Sequence, residues 1–239
     1  GGGGSDSSEA SNVINNATRY SLSELETASK TLANKSYVGR TSTANLQLTS
    51  VQKAFNISFD ESLQNLGQAL VEEFYFNLGN NVSNGKHPCG FSGYVTFNQG
   101  ISESSSEVAS ITYEACKANQ SSSEINGTTV ISANDFSTHS NEYSIFFDKL
   151  SSTSEQVTFL ISGMISSTGD SNQSGYNITQ FVTVSLNGEQ YKLESEHIYT
   201  PNTTSPDYSA RSNVFIDSIG KLSLAYEGDQ FYPVYRSKL

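Results

Sequence analysis

The segment ITQFVTVSLNGEQYKLESEHIYT, residues 178–200, decides the fold of this chain. Its centre, Asn187-Gly188, is the dipeptide most typical of a two-residue β-hairpin turn, because both positions of that turn adopt positive φ. A turn at this point pairs residues across one face of two antiparallel strands: Val184 with Tyr191, Val182 with Leu193, and Ile178 with His197. Most of these residues are apolar, so the turn and the hydrophobic pattern predict the same register.

The sequence around this hairpin has the same character, since short apolar runs alternate with turn residues from about residue 80 onward. An apolar–Ser/Asn–Gly pattern recurs three times in this region, as Phe91-Ser92-Gly93, Ile125-Asn126-Gly127 and Ile161-Ser162-Gly163. We interpret the copies as hairpin-sized units with turns at Gly93, Gly127 and Gly163. They predict a mainly β (α+β) fold, in which an antiparallel meander forms a curved sheet or a partly closed barrel or sandwich.

The N-terminal third has a different pattern. Residues 1–20 begin GGGGSDSS and lack apolar periodicity, which predicts a flexible tether. Ser21 and Glu24 have capping-box spacing, and a helix is predicted after them. A second helix is predicted within residues 59–81, from leucines at helical spacing. The predicted organisation is a tether at 1–20, a helical segment at 21–79 and a β domain with hairpin-like repeats at 80–239.

The composition argues against nucleic acid as a partner and against a membrane-spanning helix. The chain has 13 Lys and Arg against 24 Asp and Glu, for a net charge of −11. Nucleic acid is therefore not expected as a partner, because phosphate binding needs a basic face. No apolar stretch approaches the roughly 18 residues that a membrane-spanning helix requires.

Two cysteines, Cys89 and Cys116, indicate a disulfide, which would place the protein in an oxidising compartment. The alternative is a pair of buried free thiols. A zinc site would need His87 and a further ligand to join them.

No catalytic or cofactor motif emerges from the remaining residues. Residues 79–87 only superficially resemble a phosphate loop. Asp170, Asn172 and Ser174 occupy alternate positions of a calcium loop, but Phe181 stands where a bidentate Glu is needed, so they are a weak candidate. The histidines are His87, His139 and His197, and neither GxSxG nor HExxH accompanies them. His197 is expected to pack on an apolar strand face and still reach solvent. We therefore expect no enzyme activity and no cofactor.

The glycine run followed by Ser and Asp resembles the start of proteobacterial outer-membrane lipoproteins of unassigned function, just after their lipid-bearing cysteine. Such lipoproteins carry a cysteine pair near the first strands and repeated apolar–Asn–Gly turns, matched here by Cys89 and Cys116 and by Gly93, Gly127 and Gly163. The lipid-bearing cysteine itself is absent from this sequence. The alternative origin of GGGGS is an engineered linker.

The resemblance implies a non-enzymatic binding or scaffolding protein, anchored at the outer membrane or secreted to the periplasm or cell surface. Its partner would be an envelope protein or a glycan, and it would touch the membrane only through an N-terminal lipid. One alternative is an extracellular filament or surface-layer subunit that forms homo-oligomers through strand edges. Others are a carbohydrate-binding module and an envelope hydrolase.

Overall fold

The computed structural model describes residues 3–60, 82–102, 105–136, 142–170, 175–200 and 207–228. The helices in these ranges are α1 (Gly3–Asn15), α2 (Leu22–Ser36) and α3 (Leu48–Ser58), with a 3₁₀ turn at Ala17–Arg19. The strands are β1 (Gly85–Pro88), β2 (Ser92–Ile101), β3 (Glu107–Lys117), β4 (Glu124–Ala133), β5 (Tyr143–Thr153), β6 (Thr158–Asp170), β7 (Gly175–Leu186), β8 (Glu189–Tyr199), β9 (Tyr208–Ile216) and β10 (Gly220–Gly228).

The ten strands form one antiparallel meander, in which every strand pairs with its neighbours in sequence. The predicted mainly β fold is therefore confirmed, and the sheet is open, with β1 and β10 at its edges. The predicted hairpin is confirmed as well, because Val184, Val182 and Ile178 face Tyr191, Leu193 and His197. Asn187 and Gly188 form the turn at φ values of 50° and 86°.

The prediction of a flexible tether over residues 1–20 is wrong for residues 3–19. Helix α1 and the 3₁₀ turn lie on the sheet, and Ala10, Ile14 and Ala17 are buried against it. Ala10 and Ile14 are four residues apart and so share one face of α1, and burial of that face stabilises a segment with weak intrinsic helix propensity. The sequence contains the apolar spacing that indicates this helix, but the pattern is short.

Helix α2 begins as predicted. The Ser21 hydroxyl accepts a hydrogen bond from the Glu24 N–H, and the Glu24 carboxylate accepts one from the Ser21 N–H. The next helix, α3, was not predicted. The helix predicted within residues 59–81 lies almost wholly outside the described residues.

The sheet buries apolar side chains on both faces. One face carries α1 and α2, and we call it the helix-side face. The side chains that pack beneath the two helices are Val108, Val130, Phe146 and Met164. On the inner face, a larger cluster runs from Phe97 on β2 to Leu222 on β10, and Ala54 of α3 packs on it. Because helix α2 packs across β5–β7 and no described helix covers the helix-side face of β9 and β10, part of that face is left open.

The three repeat glycines are not turns, which corrects the sequence interpretation. Gly93, Gly127 and Gly163 lie inside β2, β4 and β6, at φ values of 77°, 98° and 128°. Each faces the following strand so closely that an added Cβ would lie 2.1 Å from a backbone carbonyl oxygen. In β2 and β4 that carbonyl belongs to a bulge residue of the next strand, Ala115 or Lys149.

The Ser or Asn that precedes the glycine also has a structural role. The Ala115 N–H donates to Asn126 Oδ1 at 2.8 Å, and the Lys149 N–H donates to Ser162 Oγ at 3.1 Å. A bulge leaves one N–H outside the strand ladder, and these side chains satisfy it. The repeat therefore encodes a line of bulges across the first strands of the meander.

Candidate functional site

An open groove of about 590 Å³ lies on the helix-side face, where α2 ends its cover of the sheet. We call it the β7–β10 groove. Its floor is formed by β7, β8, β9 and β10, and Lys30 of α2 forms part of its wall. The side chains that line it include Lys30, Phe181, Glu194, Glu196, Arg211 and Asn213.

Lys192 anchors the groove from beneath α2. Its side chain is buried, yet its ammonium group donates to Asn34 Oδ1 at 2.9 Å and lies 3.1 Å from Glu194 Oε1. The same ammonium lies 4.2 Å from the centre of the Phe215 ring. A buried ammonium needs such partners to offset its loss of hydration. Lys192 therefore holds Glu194 in place and balances its charge.

A row of polar side chains continues from Glu194 across the floor. Glu194 lies opposite Asn213, and Asn213 lies opposite Ser223. Asn213 Nδ2 is 3.5 Å from Glu194 Oε2, a distance at the limit for a hydrogen bond, and the Ser223 hydroxyl donates to Asn213 Oδ1 at 2.8 Å. The strands fix the spacing of these groups at the distance between paired residues.

Arg211 and Glu196 face the solvent beside this row. They occupy directly paired positions of β9 and β8, and within the described ranges neither has an ion pair or a side-chain hydrogen bond. Phe181 adds a half-buried aromatic ring, whose centre lies 5.7 Å from Lys30 Nζ. The groove thus combines a free guanidinium, carboxylates, an amide, a hydroxyl and an apolar surface.

Sequence analysis missed this site, although a signal was available. The hairpin that decides the fold places its apolar residues on the inner face, so the alternate residues Lys192, Glu194 and Glu196 share the other face. Three charged residues in alternation on a central strand predict a polar surface feature. What could not be predicted is that α2 stops short of β9, which leaves the surface open.

His197 lies on the inner face, in an aromatic cluster with Phe59, Tyr208 and Tyr226. It is 1% exposed, so the expectation that it reaches solvent is wrong. Its Nδ1 is hydrogen-bonded to the Tyr208 hydroxyl, and Phe59, which follows α3, packs edge-on against its ring. The sequence could not reveal this cover, because α3 itself was not predicted.

Burial is the main cause of the pKa shifts in this cluster. It lowers the pKa of His197 to about 4, although the nearby Ser58 backbone acts in the opposite direction. The pKa of Tyr208 is raised, first by burial and then by Tyr176 and Tyr226. A neutral histidine bound to a neutral phenol is a packing element, and no carboxylate of the described residues forms a hydrogen bond or an ion pair with His197.

The remaining candidate residues are distributed over the fold. Cys89 and Cys116 form a disulfide with a Cα–Cα distance of 5.7 Å, which joins the turn between β1 and β2 to the end of β3. His87 lies in β1 and its Nε2 is 2.7 Å from the Ser83 carbonyl oxygen. Asp170 ends β6, while Asn172, Ser174 and His139 lie outside the described residues. Within the described ranges, no group of three or more His, Cys, Asp or Glu side chains is placed to hold a metal ion.

None of the helices in the described part of the chain has the length and apolarity of a membrane-spanning helix. No protein-family model, curated protein or solved structure matches this chain. Function is therefore inferred from the chemistry of the groove.

Proposed function

We propose that this protein is a non-enzymatic binding protein of the cell envelope and that its ligand is a glycan held in the β7–β10 groove. The observation that carries the proposal is the row Glu194–Asn213–Ser223, whose polar groups are aligned by the strands and open to solvent. Side chains fixed on paired strands lose little conformational entropy when a ligand binds.

The chemical character of the groove favours a sugar. Carboxylate, amide and guanidinium groups are planar and offer two adjacent hydrogen-bonding atoms, which suits the neighbouring hydroxyls of a pyranose ring. Phe181 supplies an apolar surface next to them. Binding sites for small ligands combine an apolar wall with a few oriented polar groups in this manner.

The disulfide supports the proposed location. Disulfides persist mainly in oxidising compartments such as the periplasm and the cell surface. We extend the proposal to an N-terminal lipid anchor, as in the outer-membrane lipoproteins that the sequence resembles. An intact mass and the sequence of the N-terminal peptide, from protein purified from its native host, would test the anchor separately.

Assembly through strand edges is the alternative, and the described edges do not favour it. Where β2 extends beyond its pairing with the edge strand β1, the Asn84 side chain makes two hydrogen bonds with the Gln99 backbone. At the β10 edge, the Lys221 backbone is bonded to Ser42 and Ala44. Edges blocked in this way resist the addition of another strand.

The proposal is tested by titrating ¹⁵N-labelled protein with a panel of neutral and acidic oligosaccharides and following the amide chemical shifts. We expect at least one member to shift amides of β8–β10. Asn213→Ala should weaken that binding about fivefold, since a hydrogen bond contributes about 1 kcal/mol.

Thr153→Ala, an exposed change at the far end of β5, serves as the matched control and should leave binding unchanged. If no oligosaccharide shifts the groove amides, or if both variants bind like wild type, the proposal is wrong.

A further inference from the structure

We infer that the β7–β10 groove selects glycans that carry a carboxylate, and that Arg211 is the residue that determines this specificity. The inference rests on the proposed glycan-binding function. It concerns which class of sugar is bound, which the hydroxyl-binding groups of the floor do not decide.

Arg211 is placed to receive an anion. It lies on β9 between Glu196 of β8 and Ala225 of β10, so its side chain rises from the middle of the floor. Its guanidinium has no ion pair or hydrogen bond with another described residue. A guanidinium binds a carboxylate through two parallel hydrogen bonds, and an unoccupied one on a groove floor is available for that geometry.

The charge balance of the groove points to the same ligand. Lys192 and Glu194 lie 3.1 Å apart and neutralise each other. Among the charged groups of the lining, this leaves Lys30 and Arg211 against Glu196, an excess of one positive charge. The whole chain carries a net charge of −11, so the groove has the opposite sign to the chain as a whole. A local reversal of this kind attracts an anionic ligand to one place on the surface.

Glu196 sets the limit of this attraction. Its carboxylate faces Arg211 across the strand pair and repels an incoming anion. A densely charged polyanion would also be repelled by the acidic remainder of the protein. The arrangement therefore suits a sugar that presents one carboxylate to Arg211 and makes its remaining contacts through hydroxyl groups.

The test uses the full-length chain and trimers of three uronic acids: galacturonate, mannuronate and glucuronate. Each trimer is compared with its methyl ester, which has the same ring geometry without the charge. We expect at least one acid to bind tenfold or more tightly than its ester, in calorimetry or by amide shifts, and we expect its affinity to fall as salt is raised.

Three variants locate the effect. Arg211→Gln should reduce the acid-to-ester preference to twofold or less, because it removes the positive charge that distinguishes the acid from the ester. Glu196→Gln should strengthen acid binding about threefold, because a repulsive charge is removed. Glu155→Gln makes the same charge change in a distant exposed loop and should have no such effect. A native-like amide spectrum of Arg211→Gln will show that the variant is folded, and Glu196→Gln tests the same charge balance independently.

The outcomes separate this inference from the proposed function. If esters and acids bind equally in the groove, the carboxylate inference is overturned and glycan binding stands. If acids are preferred but Arg211→Gln keeps the preference, the assignment to Arg211 is overturned. If no acidic or neutral sugar shifts the groove amides, both proposals fail.

Discussion

Two regions of the sheet differ in how regularly their strands pair. The bulged half, strands β2–β6 (residues 92–170), has a register shift in each of its four strand pairs. The regular half, strands β7–β10 (residues 175–228), has three strand pairs and no register shift in any of them. Both halves are antiparallel meanders, so the difference lies in local backbone conformation and not in topology.

The helices connect this difference to function. Asn15, the last residue of α1, bonds to Asp148 at 3.0 Å and accepts a hydrogen bond from Thr128 at 2.7 Å. Asp148 precedes the bulge residue Lys149, and Thr128 follows Gly127, which faces the Lys149 carbonyl group. Bulges bend and twist a sheet locally, and here the bulge line coincides with the place where α1 is attached. The regular half keeps aligned strands, and its uncovered face carries the groove.

The largest loss of stability is expected from a substitution that is sterically incompatible with a bulge. Gly127→Ala would place a Cβ 2.1 Å from the Lys149 carbonyl oxygen, in a backbone conformation at φ 98°. We expect a loss of about 4 kcal/mol in the free energy of unfolding, from strain and the disrupted strand pair. Urea denaturation measures it.

Gly188→Ala is the matched change in the regular half. Its φ is 86°, but an added Cβ would meet nothing within 4 Å. It should therefore cost only the left-handed backbone penalty of about 1 kcal/mol. Equal losses in the two variants would mean that the close approach at Gly127 contributes nothing.

The next effect concerns the disulfide, which ties the edge of the bulged half together. Cys116 directly follows the bulge residue Ala115, and 27 positions separate the two cysteines. Replacing both with alanine should lower the free energy of unfolding by about 3 kcal/mol, because the unfolded chain gains the entropy of an open loop. Wild type treated with a reductant should match the variant. A variant as stable as the oxidised wild type would contradict the prediction.

A smaller effect, and one that depends on pH, is expected from the regular half. The folded-state pKa of His197 is about 4, whereas an unfolded histidine has a pKa near 6.5. The unfolded chain therefore takes up a proton first as pH falls. The stability that His197 contributes is complete above pH 6.5 and declines between pH 6.5 and 4, by about 2 kcal/mol at pH 5.

His197→Gln removes this titration. Urea midpoints of wild type and variant should diverge between pH 7 and pH 5, with wild type losing more stability. Parallel curves would show that the imidazole is not buried in its neutral form.

The two halves also differ in how far the sequence predicted them. In the regular half, Asn187-Gly188 and an alternating apolar pattern fix the turn and the register together, and both predictions are confirmed. In the bulged half, the repeat around Gly93, Gly127 and Gly163 was found, but its glycines were taken for turns. A glycine at positive φ serves a turn and a bulge equally well, and only the partner strand distinguishes the two.

The candidate site was harder to predict for a related reason. The polar face of β8 was readable from Lys192, Glu194 and Glu196. Whether a polar face is covered depends on the lengths and positions of α1 and α2. Helix α1 forms because its apolar side chains pack on a distant strand, which is information that local propensity does not contain.

The smallest predicted effect has opposite signs in the two halves. Ala115 and Ala225 are both exposed alanines in strands, but Ala115 is a bulge residue at φ 48° and Ala225 has negative φ. An L-residue in the left-handed region is strained, and glycine is not. Ala115→Gly should therefore raise the free energy of unfolding by about 0.5 kcal/mol, since the relieved strain exceeds the entropy that glycine adds to the unfolded chain.

Ala225→Gly has only the entropic effect and should lower the free energy of unfolding by about 0.5–1 kcal/mol. The difference of about 1 kcal/mol between the two variants is measurable by urea denaturation under identical conditions. Lys149→Gly, at the second bulge with φ 49°, should follow Ala115 and not Ala225. If all three substitutions destabilise equally, the left-handed residues of the bulge line are unstrained, and the two halves differ in register alone.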